Sequence, residues 1–238
     1  MGYSVKASTT STNKVFQIAK LKADPFIVDI ENISSNIQSF LKSEILIINI
    51  TSKSIEGFQS LLQEIEKSDI ENVLLVSSTS VYDNQNKTIS ESDDNELSNK
   101  PLVIIENLFR NSSEVATTIV RFAGLIGNNR HPGRFFSRGN IVKDPDSFVN
   151  LIHLDDCIAI ISQILQQQIW NEVFNCCADT HPTKRDYYTK AAKSIGAGTP
   201  VFGTSDSKSF KIISNEKVKR HLNYFFLHAD LMSDINHL

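Results

Sequence analysis

Apolar residues in the first half of the chain form short runs of strand length, and these runs alternate with longer segments of helical period. The pattern predicts strands over residues 2–9, 25–30, 44–50 and 72–78, and helices over residues 13–22, 35–43 and 54–68. The third helix places a row of apolar side chains on one face, namely Ile55, Phe58, Leu61, Leu62 and Ile65. Because strands that alternate with helices are typical of βαβ units around a parallel sheet, the sequence predicts an α/β protein.

A polar, acidic segment follows at residues 83–99 and shows no apolar periodicity. It is longer than the ~12 to 15 residues at which structureless loops become unusual, so we interpret it as a functional flap beside a strand end. The pattern then predicts a helix over 101–111, with Pro101 in the first turn, where its missing N–H costs nothing. A strand is expected over 116–124, and the remainder reads as shorter strands and helices.

Size and charge narrow the function classes. A chain of 238 residues can bury one sizeable core, since domains usually divide only near ~250 to 300 residues. Its 24 basic and 27 acidic side chains give a net charge of -3, which is not the footprint of a nucleic-acid-binding protein. No stretch approaches the ~18 apolar residues of a membrane span, and the N-terminus does not resemble a signal sequence. We therefore predict a cytoplasmic protein with no nucleic-acid or membrane partner.

The cysteines Cys157, Cys176 and Cys177 include no C-x-x-C spacing, so they predict core packing and neither a disulfide framework nor a zinc site. His153, Asp155 and Asp156 invite a metal or catalytic-triad interpretation. Their spacing at a helix entry favours cap residues, so we predict no metal site there.

The stretch "VLLVSSTSVYD", residues 73–83, ends an apolar strand in four consecutive hydroxyl residues and a tyrosine. One interpretation is a polar strand end that turns into a loop. The alternative is a catalytic edge, at which Ser78 and Tyr82 are presented where the strand leaves the core.

That stretch and three later ones resemble segments of the NAD(P)-dependent epimerase/dehydratase family of extended short-chain dehydrogenases, especially its atypical members. In the family's order they are "VLLVSSTSVYD", "RFAGLIG", "VNLIHLDDCIAII" and "EVFNCCAD". The resemblance implies a Rossmann-like, doubly wound parallel sheet with a small C-terminal substrate-side region. It further implies an incomplete dinucleotide-binding domain over 1–139, a mixed α/β substrate-side region over 140–238, NADP or NAD as cofactor and a nucleotide-sugar-like substrate.

In that family the end of this strand faces the nicotinamide and the substrate. Ser78 matches the Ser or Thr that hydrogen-bonds the reacting hydroxyl or carbonyl of the substrate, and Tyr82 is the nearby phenol. The family's acid/base pair is a Tyr with a Lys four residues later, the Lys lowering the pKa of the phenol. In the register of this chain those two positions are Ser98 and Leu102, and Lys100 is a neighbouring candidate.

The family opens with a strand and a Gly-rich turn, G-x-x-G-x-x-G, that holds the pyrophosphate of the cofactor. This chain has no such turn, and its first strand resembles the family's second strand, so it resembles an N-terminally truncated member. Because the absent strand would be central, we expect the sheet to be altered between the strands at 2–9 and 44–50. Direct pairing of these two strands, or filling of the gap by another chain in a homo-oligomer, is favoured over a mobile region.

The resemblance places cofactor-binding positions at three strand ends: Ser8 and Thr9 near the adenosine ribose, Asp29 and Ile30 beside the adenine, and Asn49, Ile50 and Thr51 along the cofactor ribose. Hydroxyls without an acid at the first strand end favour NADP slightly over NAD. Each position also has a structural interpretation, namely an N-cap for the helix from residue 13, an acidic strand end and a plain turn. Arg121 and the basic loop at 130–134 fit either an anionic substrate or a solvated surface.

Two functions therefore remain open. The first is an NAD(P)-dependent nucleotide-sugar epimerase or dehydratase, in which hydride passes between the nicotinamide and a carbinol carbon. The second is a non-catalytic Rossmann scaffold for ligand sensing or protein contacts, which the missing Tyr/Lys pair and Gly-rich turn favour. A shortened version of an ordinary cofactor binder is a third interpretation.

Overall fold

A computed structural model describes residues 2–93, 99–136, 139–204 and 209–235. Within them the strands are β1 (Lys6–Thr9), β2 (Asp24–Ile27), β3 (Ile45–Ile48), β4 (Asn72–Ser78), β5 (Lys87–Ile89), β6 (Ala116–Phe122), β7 (Gly124–Ile126), β8 (Ile141–Val142), β9 (Leu151–His153), β10 (Val173–Cys176), β11 (Val201–Phe202) and β12 (Lys211–Ile213). The α-helices are α1 (Val15–Lys20), α2 (Ile37–Leu41), α3 (Ile55–Ile65), α4 (Pro101–Arg110), α5 (Leu154–Gln167), α6 (Lys184–Ser194), α7 (Glu216–Leu222) and α8 (Leu231–Asp234). Single 3₁₀ turns lie at Thr12–Lys14, Thr79–Val81 and Pro132–Arg134.

The largest sheet is parallel and has the strand order β10-β6-β4-β3. Its strand β4 is apolar on both faces, and Val73, Leu74 and Leu75 are buried, as is typical of a strand covered by helices on both sides. The predicted α/β class with a parallel sheet is confirmed. Strand β4 also has the predicted bounds, and α4 begins at Pro101 as expected.

Strands β1 and β2 form a separate two-stranded parallel sheet. Among the described residues the sheet neighbour of β1 is β2 and that of β3 is β4, so the expected direct pairing of β1 with β3 is wrong. Strand β1 is fastened elsewhere, because the ammonium of Lys6 donates to the carbonyl oxygens of Ser39 and Lys42 at 2.7 and 2.8 Å. Filling of the gap by another chain stays a prediction.

The chain divides into two compact units, residues 1–75 with 99–118, and residues 76–98 with 119–238. We call them unit 1 and unit 2. The boundaries between the two units fall inside β4 and β6. The predicted division between residues 139 and 140 separates a cofactor part from a substrate part, and it stays a prediction.

In unit 1, α3 and α4 bury an edge-on pair of rings, Phe58 and Phe109, with ring centroids 6.2 Å apart. Helix α3 begins where the Ser54 hydroxyl accepts the Gly57 N–H at 3.1 Å. A Cβ at Gly57 would lie 3.0 Å from the carbonyl oxygen of Ile30, so the glycine allows α3 to start close to the segment after β2.

The core of unit 2 includes side chains from β7, β9, α6 and α8, among them Ile126, Leu151, Tyr187 and Leu231. The interpretation of residues 83–99 as structureless is wrong at Lys87–Ile89, because these residues form β5, which pairs in parallel with β12. Strand β5 has only three residues, and its partner lies more than a hundred residues later, so local periodicity gives no signal for it. Residues 94–98, which include Ser98, lie outside the described part of the chain.

The helices that the described residues form are too short or too polar to span a lipid bilayer.

Candidate functional site

Ser78 lies at the carboxyl end of β4, where the extended backbone enters the 3₁₀ turn Thr79–Val81. The Ser78 side-chain oxygen accepts the Ser80 N–H at 3.2 Å, which caps the turn. A serine hydroxyl has one donor hydrogen and two acceptor lone pairs, and this bond uses a lone pair. The hydroxyl is therefore fixed in place, and its hydrogen has no acceptor among the residues that the structure describes.

Tyr82 follows this turn and is only 1% exposed. Its hydroxyl accepts from the Arg121 guanidinium at 2.6 Å and donates to the Asn175 side-chain oxygen at 3.0 Å. Burial raises the pKa of Tyr82 above its usual range and outweighs the opposing charge of Arg121. The catalytic role of Tyr82 stays a prediction, and the geometry describes a neutral phenol that joins two buried polar side chains.

Arg121 and Asn175 are fully buried, and a carboxylate contributes to the same cluster. The Asn175 backbone N–H donates to Glu91 at 2.6 Å, and burial is the main cause that raises the pKa of Glu91. Arg121 therefore lies in the core against Tyr82, and it is not part of a solvated basic surface. Sequence reasoning gave Asn175 no role, although the residue lies in the segment "EVFNCCAD" that resembles the family, and it missed Glu91, since no local pattern signals a partner 84 positions away.

Lys211, on β12, was also missed by sequence reasoning. Its ammonium donates to the carbonyl oxygens of Thr79 and Tyr82 at 3.0 and 2.8 Å. Asn150 holds the same strand from the side, because its amide donates to the Lys211 carbonyl at 3.0 Å and accepts the Ile213 N–H at 2.8 Å. Lys211 therefore reaches the turn after Ser78 from a distant strand.

The segment that resembles the family's Asn-x-Ile-His-x-Asp-Asp motif fastens the end of the described chain. Asp156 is fully buried and accepts from the Tyr224 hydroxyl at 2.6 Å and from the N–H groups of Leu227 and His228 at 2.7 and 3.1 Å. His153 accepts the Asp155 N–H at 3.1 Å as the N-cap of α5, so its predicted capping role is confirmed.

His153, Asp155 and His228 also bring ligand atoms within 4.8 Å of one another, which is the spacing of a candidate metal centre. The two imidazole rings, however, are stacked with centroids 3.7 Å apart. With Zn–N bonds of about 2.0 to 2.1 Å and tetrahedral angles, two imidazoles on one ion would have centroids about 5 Å apart. The His153 Nδ1 atom is also engaged in the cap, so the geometry favours a stacked, structural pair.

The predicted cofactor positions lie in unit 1. Ser8 is exposed, and the Thr9 hydroxyl accepts the Ser11 N–H at 3.1 Å. This bond closes a turn, and Ser11 itself makes no side-chain cap of the following helix. Asp29 is exposed and accepts the Glu31 N–H at 3.0 Å. The hydroxyl and carboxylate at these strand ends are thus held by local backbone bonds.

The structure brings the three strand ends near one another. The Val28 N–H donates to the Thr9 carbonyl at 3.1 Å, and the Ser52 hydroxyl donates to the Glu31 carboxylate at 3.2 Å. Ile30 is half-buried, whereas the other predicted positions in this part, Asn49, Ile50 and Thr51, are exposed. Exposed polar groups along this edge fit the adenosine half of a dinucleotide, but no Gly-rich turn is present in the sequence for the pyrophosphate half.

No family model matches the chain. The protein YeeZ of Escherichia coli strain K12 is 28% identical over 245 residues, which cover 96% of this chain and 89% of YeeZ. A functionally unknown conserved protein from Silicibacter pomeroyi has a similar structure, with a TM-score of 0.80, 17% identity and coverage of 100% of this chain and 90% of its own. The UDP-glucuronic acid 4-epimerase of Bacillus cereus, in complex with NAD, has a TM-score of 0.74 at 16% identity, with coverage of 99% and 89%. At the level of the fold, the predicted resemblance to Rossmann-like epimerases and dehydratases is confirmed.

Proposed function

We propose that this chain is an NAD(P)-dependent protein of the nucleotide-sugar epimerase/dehydratase kind, in which Ser78 orients the reacting oxygen of the substrate. The observation that carries the proposal is the Ser78 hydroxyl, fixed by the Ser80 N–H at the carboxyl end of a central parallel strand, with its hydrogen left to donate. Ligands of open α/β sheets bind at this end of the strands. The fold shared with a UDP-glucuronic acid 4-epimerase that binds NAD supports the same class.

The nicotinamide, when bound, would accept a hydride from a carbinol carbon of the sugar and return it, while the proton of the carbinol hydroxyl would pass to solvent water and come back from it. The residues of this chain have separate tasks. Ser78 donates its hydroxyl hydrogen to the substrate oxygen and so holds the carbinol carbon in place. Tyr82 enters the proposal as a protonated phenol, because burial raises its pKa. Because its hydrogen is donated to Asn175 and its side chain is buried, Tyr82 would serve the site by keeping the guanidinium of Arg121 oriented.

The cofactor proposal concerns unit 1. Its adenosine side would contact the strand-end positions Ser8, Thr9, Asp29, Ile30, Asn49, Ile50 and Thr51. We expect binding far weaker than in proteins with a Gly-rich turn, since the sequence offers no backbone cradle for the pyrophosphate. Titration with NADH and with NADPH, followed by nicotinamide fluorescence, measures the affinity and the preference between them. A low-micromolar dissociation constant would contradict the expected weakness.

The test of the chemistry uses UDP-glucuronic acid and NAD, with the epimerised sugar followed by NMR. Ser78→Ala should lower turnover by roughly two orders of magnitude, the usual scale for losing one oriented donor. Ser78→Thr, which keeps a hydroxyl, is the matched control and should retain most of the activity. Ser98→Ala should have little effect. A large loss at Ser98 with none at Ser78 would show that the assigned register is wrong.

A second function, that of a non-catalytic scaffold for ligand sensing, is favoured by one sequence observation. Ser98 and Leu102 occupy the positions of the family's Tyr/Lys pair. A scaffold of this kind would bind the nucleotide sugar without converting it. Saturable binding of UDP-glucuronic acid with no product after long incubation would support the non-catalytic function over the enzymatic one. A cytoplasmic location and self-association stay predictions of the same proposal.

A further inference from the structure

The 3₁₀ turn Thr79–Val81 that follows Ser78 is weak by itself. It closes on one backbone bond, from the Tyr82 N–H to the Thr79 carbonyl, with a length of 3.3 Å. Hydrogen bonds of this length lie beyond the usual range of 2.7 to 3.2 Å, and single 3₁₀ turns have poor bond geometry. Since the Ser80 N–H of this turn fixes the Ser78 hydroxyl, movement of the turn would also move the hydroxyl.

The ammonium of Lys211 supplies two further bonds to the same turn. It donates to the Thr79 carbonyl at 3.0 Å and to the Tyr82 carbonyl at 2.8 Å, so it contacts both ends of the turn. Bonds from a charged donor are roughly twice as strong as neutral ones. The two Lys211 bonds are therefore the stronger restraint on this turn.

Lys211 is itself held by regular structure. It is paired with Lys87 in the parallel ladder of β12 and β5, and the Asn150 amide bonds to both ends of the same short strand. The position of the ammonium is thus set by a strand and by the half-buried Asn150, and not by a loop.

We propose that Lys211 is a positioning residue for Ser78. Its ammonium fixes the turn from Thr79 to Tyr82, and the turn presents the Ser80 N–H that holds the Ser78 hydroxyl toward the substrate oxygen. The catalytic part of this inference rests on the proposed function, whereas the structural part, the restraint of the turn, does not.

The structural part is tested by amide hydrogen exchange of the free protein, read at Ser80 and Tyr82. Lys211→Met should raise exchange at these amides by about tenfold or more, since both charged bonds are lost. Lys190→Met is the matched control, because the Lys190 ammonium also donates to a backbone carbonyl, that of Met232, at 2.7 Å. It should leave the turn unchanged. Unchanged protection in Lys211→Met would overturn the proposal.

If Lys211→Met does not fold, Lys211→Gln is measured in its place, since it keeps an N–H donor while losing the charge and the length. Faster exchange at the same amides is expected and unchanged exchange would again overturn the proposal.

The catalytic part is tested by combining the substitutions in the assay with UDP-glucuronic acid and NAD. If Lys211 acts through Ser78, the loss on Ser78→Ala should shrink from about a hundredfold to about tenfold or less in the Lys211→Met background. A loss of the same size in both backgrounds would overturn the positioning role. A wild-type chain with no binding and no turnover would contradict the proposed function, while the exchange experiment would still decide whether Lys211 fixes the turn.

Discussion

Two buried tyrosines of unit 2 have opposite hydrogen-bonding states. The Tyr82 hydroxyl has two partners, Arg121 and Asn175, whereas the Tyr187 hydroxyl is buried and has no hydrogen-bond partner among the described residues. Removing a buried hydroxyl that satisfies other buried groups costs about 1 to 3 kcal/mol, whereas removing an unpaired one costs little. The same chemical change should therefore have different effects at the two positions.

We predict that Tyr82→Phe lowers the free energy of unfolding by about 1 to 3 kcal/mol. Tyr187→Phe, the matched control, should leave it unchanged or raise it slightly. Urea unfolding followed by tryptophan fluorescence measures both. Equal losses at the two positions would contradict the hydrogen-bond network drawn around Tyr82.

Glu91 provides a prediction on pH dependence. Burial, the largest cause, raises its pKa, so between the unfolded value near 4.5 and the higher folded value the native state binds more protons than the unfolded state. The Glu91 contribution to stability is therefore present at low pH and is lost as the pH rises through that window. Glu91→Gln keeps an oxygen to accept the Asn175 N–H and removes the titration.

Unfolding free energies measured from pH 4 to pH 8 should show the Glu91→Gln variant gaining stability relative to the wild type as the pH rises. Glu64→Gln should instead lose stability relative to the wild type as the pH rises. Lys67 lowers the pKa of Glu64, so this carboxylate stabilises the native state at pH values above its unfolded pKa. A stability difference between Glu91→Gln and the wild type that stays constant with pH would contradict a half-buried Glu91 carboxyl with a raised pKa.

At the residue scale, the sequence singled out Ser78 and Tyr82 as candidates, but it did not show which side chains hold them. The partners of Tyr82 lie 39 and 93 residues away, and Lys211 lies 132 residues from Thr79. Such pairs depend on which strands become neighbours, and a local pattern carries no information about that choice. Their residue types gave only a weak hint, since Arg121 was noted for its charge and Lys211 was not noted at all.

At the scale of the elements, prediction succeeded where burial requires apolar residues at regular spacing along the sequence. The strand at 72–78 and the helix that begins at Pro101 have the expected starts, because both elements bury a regular apolar set. Strands β5 and β12 were missed because each has three residues and exists through its pairing with the other. Strand β1 is shorter than the predicted 2–9, since Tyr3 and Val5 are exposed, although the Val5 carbonyl still accepts the Asp24 N–H at 2.8 Å.

The start of α5 also fastens the segment from Tyr224 to His228, and this connection gives a prediction. Asp156→Ala should lower the free energy of unfolding by at least about 3 kcal/mol, because three donors lose a buried charged acceptor. Asp155→Ala is the neighbouring control. The Asp155 side chain is 59% exposed, so its loss should cost less than about 1 kcal/mol.

Amide hydrogen exchange shows whether the effect of Asp156→Ala is local. We expect faster exchange at Leu227 and His228, whose N–H groups donate to Asp156, before the rest of unit 2 is affected. If Asp155→Ala and Asp156→Ala gave equal destabilisation, the motif would serve only as a helix cap.

At the scale of the whole molecule, the sheet of a doubly wound fold is present in two parts, β1-β2 and β10-β6-β4-β3. Sequence reasoning located this interruption, because it depends on the order of recognisable strands. It did not give the outcome, because the choice between direct pairing and an unpaired edge depends on contacts such as that of Lys6 with α2.

Strand β3 is the terminal strand of its sheet among the described residues, and it is apolar throughout. Its side chain Ile47 is 43% exposed. An exposed apolar edge strand is a template for pairing with another chain, and lysine on such an edge opposes that pairing. We therefore predict concentration-dependent self-association of the wild type in sedimentation velocity, and its loss in Ile47→Lys. Ile158→Lys, at a 55% exposed site on α5, should leave association unchanged. A wild type that stays monomeric at every concentration, or equal effects of the two lysines, would show that the β3 edge does not recruit a second chain.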